Sequence, residues 1–567
     1  MMPGIRQTLL VMLAAAVLSA CGGGESSDGN NRVGQNSATG EVPNSNIIAP
    51  DAYADYFRFL NQATMGATDA EIGRVTAVGY ETWIDEQMEM PISLSAPYVE
   101  ANLSSAGDVR AGDRTAAWIE NALHGPDQLR QRVALALSEI LVISETGVLR
   151  WFQWELAMAD YYDLLAKNAF GNYRNLLEDV TLHPAMGNYL SMRGNLKPDA
   201  EKNIRPDENF ARELMQLFTI GLVELNIDGT PKRDSRGYTI PTYTQDIVQG
   251  FAHVFTGWNH KKSIDDPSPI LPTHISRRKP MVLYPRHHDT GPKELLGGVT
   301  LPARYDGEQD LEDALDNIFE HPNVGPFISL RLIQRLVTSN PSPDYVARIA
   351  RVFNDNGSGV KGDLAAVVKA ILLDPEARPD SYSPIDGKLK EPMLRLTQLW
   401  RAYDAVKVDS SGDNVGHRMT DKTGQGPLQA ESVFNFFLPS YAPPGEIRDL
   451  QLVAPEMQII TPYLSAKYIT YLYNQTHHWH KLPQPFFDWG TSAPHVLINF
   501  NADVALEANP DELIDRLAYK LLGGNISAEL RAHTADVIAI IPLDEEGRRT
   551  AAAVFFIASS PEYAYQY

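Results

Sequence analysis

Two short stretches concentrate the side chains that could move protons, bind a metal or grip an anion. The first is Arg205-Pro206-Asp207-Glu208-Asn209-Phe210-Ala211-Arg212-Glu213-Leu214. Wound as a helix, at about 100° per residue, it places Phe210, Leu214, Leu217 and Phe218 on one face and Glu208, Asn209, Arg212, Glu213 and Gln216 on the other. Glu208 and Arg212 are then neighbours one turn apart, as are Asn209 and Glu213. Two carboxylates beside a guanidinium suit acid–base work, metal binding or anion capture. The same residues also fit a solvated face with one ordinary ion pair.

The second stretch is Arg286-His287-His288-Asp289-Thr290-Gly291-Pro292-Lys293. Adjacent histidines followed by an aspartate and a lysine suit proton transfer or phosphate binding. Two imidazoles and a carboxylate also suit a metal, although the spacing matches no standard zinc motif. Equally, a Gly-Pro turn with polar neighbours is an ordinary surface loop. A third cluster, His477-His478-Trp479-His480, has no partner at a recognisable spacing and reads as a surface loop. The chain contains no HExxH, GxSxG, GxxxxGK[ST] or CxxC, so zincin, α/β-hydrolase and P-loop readings have no support.

The elements that must carry these residues are helices. In Asp127 to Ile143, Leu129, Val133, Leu137, Ile140 and Leu141 recur at helical spacing, with Arg130, Gln131 and Glu139 between them. Trp151 to Phe170 and Asn172 to Leu182 continue the pattern across a break at Gly171. Pro206 can open and Gly221 can close a helix over Asp207 to Ile220. Thr242 and Gln245 have capping-box spacing ahead of Ile247, Phe251, Val254, Phe255 and Trp258. Further helices are expected over 309–319, 325–338, 343–356, 362–373, 390–405, 509–522, 527–540 and 545–558. Met281 to Tyr284 and Gly298 to Leu301 could pair as a small hairpin. The stretches 258–306, 406–450 and 476–505 are rich in Pro, Gly, Asp and His and read as long loops. The fold class expected is all-α, a multi-helix body over 49–567 with long ordered loops and at most a small hairpin. Any internal boundary falls near 406–450.

The remaining features concern address rather than chemistry. Arg6 and the apolar run Leu9 to Leu18 have the form of an export signal too short to span a bilayer. Leu18-Ser19-Ala20-Cys21 resembles a bacterial lipobox, which implies cleavage of residues 1–20 and acylation at Cys21. Cys21 is the only cysteine in 567 residues, so no intramolecular disulfide can form and the thiol is free to carry lipid. Each buried methylene of such an anchor contributes about 0.8 kcal/mol. Residues 21–48 are mostly small and polar and read as a tether. By resemblance to Gram-negative lipoproteins, Gly22 after the cysteine implies the outer membrane. A net charge of −22, with 49 Lys and Arg outnumbered by 71 Asp and Glu, argues against nucleic acid as a partner, because the acidic excess repels phosphates.

Taken in order, several stretches resemble the bacterial domain-of-unknown-function 1800 family. They are Phe59-Leu60-Asn61-Gln62-Ala63-Thr64-Met65-Gly66-Ala67-Thr68, Leu129-Arg130-Gln131-Arg132-Val133-Ala134, the Glu208 to Leu214 core, Tyr243-Thr244-Gln245-Asp246, Thr256-Gly257-Trp258, His288 to Lys293, Lys390-Glu391-Pro392 and Ser559-Ser560-Pro561-Glu562-Tyr563. The resemblance implies an exported protein without a settled activity or cofactor. It also implies a partner of the exported domain-of-unknown-function 1501 family, which is similar to sulfatases and alkaline phosphatases. It raises the standing of Glu208, Asn209, Arg212, Glu213, Asp246, His288, Asp289 and Lys293. The family often carries a Trp-His-rich stretch where this chain reads Ala134 to Val142, so no role for histidine carries over there.

Two readings follow. In the first, the chain is an enzyme acting outside the cytoplasm on a polymer or ester. Glu208, Arg212, Glu213, His288 and Asp289 act, Asn209, Asp246 and Lys293 bind substrate, and Arg212, Glu213, His288 and Asp289 share one pocket. In the second, the chain is a scaffold whose polar motifs form a buried ion-pair network fixing helix packing.

Overall fold

Nearly every stretch with helical periodicity is a helix, and the strands are short. The computed structural model describes residues 52–567 apart from 104–108, 110–111, 150–153, 262–276, 380, 382, 384, 408–418, 479–495 and 544. Cys21, the lipobox, the tether and His480 lie outside the described residues. Ile47–Tyr567 is one compact unit, with 406–450 inside it. No described helix is long and apolar enough to cross a membrane.

The all-α class is correct. Gln128–Ser138, Glu155–Asn168, Tyr173–Leu182, Gly307–Phe319, Val324–Leu336, Pro343–Asn354, Leu364–Leu373, Pro392–Ala402, Pro510–Leu522, Ala528–Ala539 and Arg548–Ala558 are all helices. Their starts follow local chemistry: the side chains of Asn172, Asp306, Ser342, Asp363 and Ser527 accept hydrogen bonds from first-turn amides.

Gln128–Ser138 differs from a half-solvated amphipathic helix, because it is buried on every side. Its polar residues are met by main-chain carbonyls. Arg130 donates to Met88 O and Ala166 O, Gln131 to Ser93 O, and Arg132 to Arg335 O. Packing therefore overrides the polar spacing.

The two expected strands do not pair with each other. Val282–Leu283 pairs antiparallel with Trp258–Asn259, and Thr300–Leu301 with Lys293–Glu294. The turn of 3-10 helix Pro285–His287 redirects the chain between them. Each strand takes the neighbour brought to it by the inward path of residues 288–293.

Candidate functional site

The helix Gln245–Val254 positions the candidate residues, and it touches both polar stretches. At its start no side chain caps it in the Thr242–Gln245 manner. Gln245 instead donates through Nε2 to Glu208 Oε2 at 2.7 Å and accepts at Oε1 from Arg212 Nη2 at 3.2 Å. Arg212 Nη2 also donates to Glu208 Oε2 at 2.9 Å, closing a three-membered ring of contacts. Both ion-pair partners are partly solvated, so the pair itself contributes only about 0–1 kcal/mol.

Arg212 rides on the helix Asn209–Gln216 and Glu208 immediately precedes it, a helix shorter than the expected Asp207 to Ile220. Asp207, two residues ahead of the helix, accepts from Asn209 N at 2.8 Å, and Asp207 is itself held by Asn195 through its amide and carbonyl. Beyond Gln216 the amides of Phe218, Ile220 and Gly221 turn back on Glu213 O and Met215 O, with Gly221 left-handed at φ 71°. Asn209 and Asp246 lie exposed at the first turns of their helices.

Glu213 points inward. It is 7% exposed, and its Oε2 is buried without a hydrogen-bond partner. Burial pushes its carboxyl up, against the pull of Arg212. Burial and the Glu213 charge together raise the Tyr189 phenol to about 12. Burial likewise raises the Tyr243 phenol to about 12, and its hydroxyl is also buried without a partner.

At the other end of the Gln245–Val254 helix, His253 Nδ1 contacts Asp289 Oδ2. Asp289 is pinned elsewhere as well: Oδ1 accepts from Gly291 N at 2.8 Å, and its amide donates to Thr256 Oγ1 at 2.9 Å. Thr256 Oγ1 donates in turn to His253 O at 2.7 Å. The hydrogen bond with His253 holds the Asp289 carboxyl down at about 2. The His253 side chain is 31% exposed and that of Asp289 18%, so solvent reaches the pair.

His288 turns the other way. Its ring is 1% exposed, with Nδ1 2.9 Å from Thr256 O and Nε2 3.1 Å from Asp310 Oδ2. Lys293 Nζ lies 2.7 Å from the same Asp310 Oδ2 and donates to Gly291 O at 3.0 Å. Arg304 Nε reaches Asp310 Oδ1, making Asp310 a buried hub for three cationic or imidazole groups. Burial alone would raise the Asp310 carboxyl, and the bonds from His288 and Lys293 bring it below its ordinary value. Two glycines give this segment room. A Cβ at Gly307 would lie 2.8 Å from the His288 ring, and one at Gly250 would lie 1.8 Å from Glu294 O.

The structure therefore brings Glu208 and Arg212 together at one end of a helix and anchors Asp289 at the other, about 12 Å away for eight residues at 1.5 Å each. His288 and Lys293 it places in the buried Asp310 hub. His477 and His478 end the helix Pro462–His477 and pack on Tyr473. No group of three or more His, Cys, Asp or Glu side chains suited to a metal exists among the described residues. Reading the sequence left His253 and Asp310 unmarked, and it marked Gln245 and Thr256 without giving either a place among the candidate residues. One signal for His253 was available: it falls seven residues after Asp246 and four after Gln249, on the same helical face.

No curated protein and no solved structure matches the chain. The family model described as "Protein of unknown function (DUF1800)" matches residues 58–565. Spanning nearly all of the described body and every residue of the site, that match makes the chain a member of the DUF1800 family.

Proposed function

We propose that this protein is an exported, lipid-anchored cell-envelope enzyme that performs acid–base chemistry on a polymer or ester outside the cytoplasm. Lipid at Cys21 and the outer membrane are its proposed anchor and address. The observation that carries the enzymatic reading is the solvent-reachable pairing of His253 Nδ1 with a pinned Asp289. A carboxylate on Nδ1 fixes the imidazole tautomer and orientation, leaving Nε2 of the neutral ring to take a proton from water or a substrate hydroxyl. His253 thus takes the proton-moving role expected of His288. The Glu208–Arg212–Gln245 ring, about 12 Å along the same helix, would hold a polar or anionic part of an extended substrate.

Full-length protein tested against p-nitrophenyl acetate, phosphate and sulfate provides the check. Turnover of any one that disappears in His253→Gln while the fold is retained supports the reading. Turnover unchanged by that substitution would falsify it.

One observation favours the second reading, a scaffold or partner subunit for an exported sulfatase/phosphatase-like protein. His288 and Lys293 serve the buried Asp310 hub, the kind of network that fixes packing.

A further inference from the structure

A buried positive charge without an acceptor lies at the start of the described body, away from the chemistry above. The helix Ala52–Ala63, the first residue of the helix Tyr80–Glu89 and the turn after Leu364–Leu373 meet around two guanidinium groups. Arg58 belongs to the first of these elements. Arg378 belongs to the last, its amide returning to Asp374 O at 3.1 Å.

Both arginines turn to the same carboxylate. Asp55 accepts from Arg58 at Oδ1 and from the Tyr80 hydroxyl at Oδ2. Arg378 Nη1 stays 3.9 Å from that Oδ1, too far for a hydrogen bond. Burial first, and the Arg378 charge second, pull the Arg58 guanidinium down to about 9, the mark of two cations crowding one anion.

Arg378 is the sharper case. Its side chain is 11% exposed, and it is the one arginine among the described residues whose three guanidinium nitrogens are all buried without a hydrogen-bond partner. The centres of the Phe59 and Tyr80 rings lie 5.2 Å and 5.8 Å from its guanidinium carbon. Such contacts engage the charge but accept none of the five N–H bonds. Other acids close in sequence are committed elsewhere. Asp374 takes Nε and Nη2 of Arg348 at 2.7 and 2.8 Å, and Glu376 takes the Ser342 amide at 2.7 Å. A buried carboxyl short of a partner can escape by taking up a proton. A guanidinium keeps its charge in a protein, so it needs an anion. Asp55 and Tyr80 are only partly buried, which puts the cluster at the edge of the body.

We propose that Arg378, with Arg58 adding a second positive charge, binds a small oxyanion of the phosphate, sulfate or carboxylate type between the helix Ala52–Ala63 and the turn after Leu364–Leu373. The planar fork of a guanidinium matches two oxygens of such a group and offers two parallel charge-assisted bonds. Asp55 competes for the same cations and limits the affinity.

Isothermal titration of the full-length chain with inorganic phosphate, sulfate and acetate, at fixed ionic strength, tests this. At least one should bind saturably below about 10 mM and raise the melting temperature in step with occupancy. Arg378→Gln should weaken that binding by at least about tenfold, as expected for the loss of a charge-assisted hydrogen bond, and should cancel the melting shift. Equal binding by the wild type and Arg378→Gln means an adventitious ion only and overturns the proposal, as does the absence of saturable binding in the wild type. Should Arg378→Gln not fold, Asp55→Asn replaces it. Removing the competing carboxylate should tighten binding by at least about tenfold, and unchanged or weaker binding would equally overturn the site. None of these readouts involves turnover, so the outcome is independent of the acid–base reading of His253.

Discussion

Asp289 binds the imidazole of His253, 36 residues earlier in the chain, while its immediate neighbour His288 points into the buried carboxylate of Asp310. The vicinal histidine–aspartate pair is thus divided between two environments. One histidine serves packing, and a different one shares the solvent-reachable carboxylate.

That division predicts two kinds of variant. His253→Ala should fold and cost no more than about 2 kcal/mol, since its side chain is partly exposed and the Asp289 carboxylate keeps its bond from Gly291 N and its hydration. Asp310→Asn should cost about 3–5 kcal/mol, because Lys293 would be left buried without its counter-charge. Urea unfolding of both variants checks the contrast, and similar losses would contradict it.

The depressed Asp289 carboxyl has a pH signature. Folding lowers it from its ordinary value of 3.8 to about 2, so its stabilising contribution is present above 3.8 and is lost as pH falls through about 2. Thermal melting of the wild type should decline across that window more steeply than that of Asp289→Asn. Parallel profiles would mean that the His253 contact is not made in solution.

Glu213 has the opposite sign. Burial raises its carboxyl above the ordinary 4.5, so ionisation removes stability as pH rises past that value. Glu213→Gln should melt higher than the wild type near neutral pH and lose that advantage in acid. It should also lower the Tyr189 and Tyr243 phenols, which the Glu213 charge helps to raise. Ultraviolet titration of tyrosinate reads the second effect.

Gly250 tests the contact between the Gln245–Val254 helix and the segment that follows Asp289. In an exposed helix, alanine would stabilise by up to about 1 kcal/mol. Here a Cβ would lie 1.8 Å from the Glu294 carbonyl oxygen, so Gly250→Ala must move backbone. A loss of about 1–3 kcal/mol is expected. A gain in melting temperature would show that the two segments are not in contact.

How much was legible can be judged from particular elements. Tyr173–Leu182, Pro343–Asn354 and Pro510–Leu522 follow their apolar spacing, and the first two carry the caps their sequences supply. The helix bearing Arg212 and Glu213, with Glu208 just ahead of it, was also legible, as was the turn to Asp289. Both signals depend on neighbours within a few residues.

The partners of those residues were not legible in the same way. Gln245 has a capping residue's spacing yet contacts Glu208 and Arg212, which lie more than 30 positions away. Glu139, Arg335, Glu391 and Gln425 meet from four separate segments, and nothing in any one of them marks it as a member of one buried cluster.

The sequence by itself determined the helical class, most helix positions, the sign of the surface charge and which short stretches concentrate chemistry. All of these follow from residue type and short-range period. Only the tertiary structure decided which histidine meets Asp289, which carboxylates are buried and which cations answer them. Those outcomes depend on how distant segments exclude water from one another, and burial is what turns the same side chain from a solvated charge into a packed hub or a proton carrier.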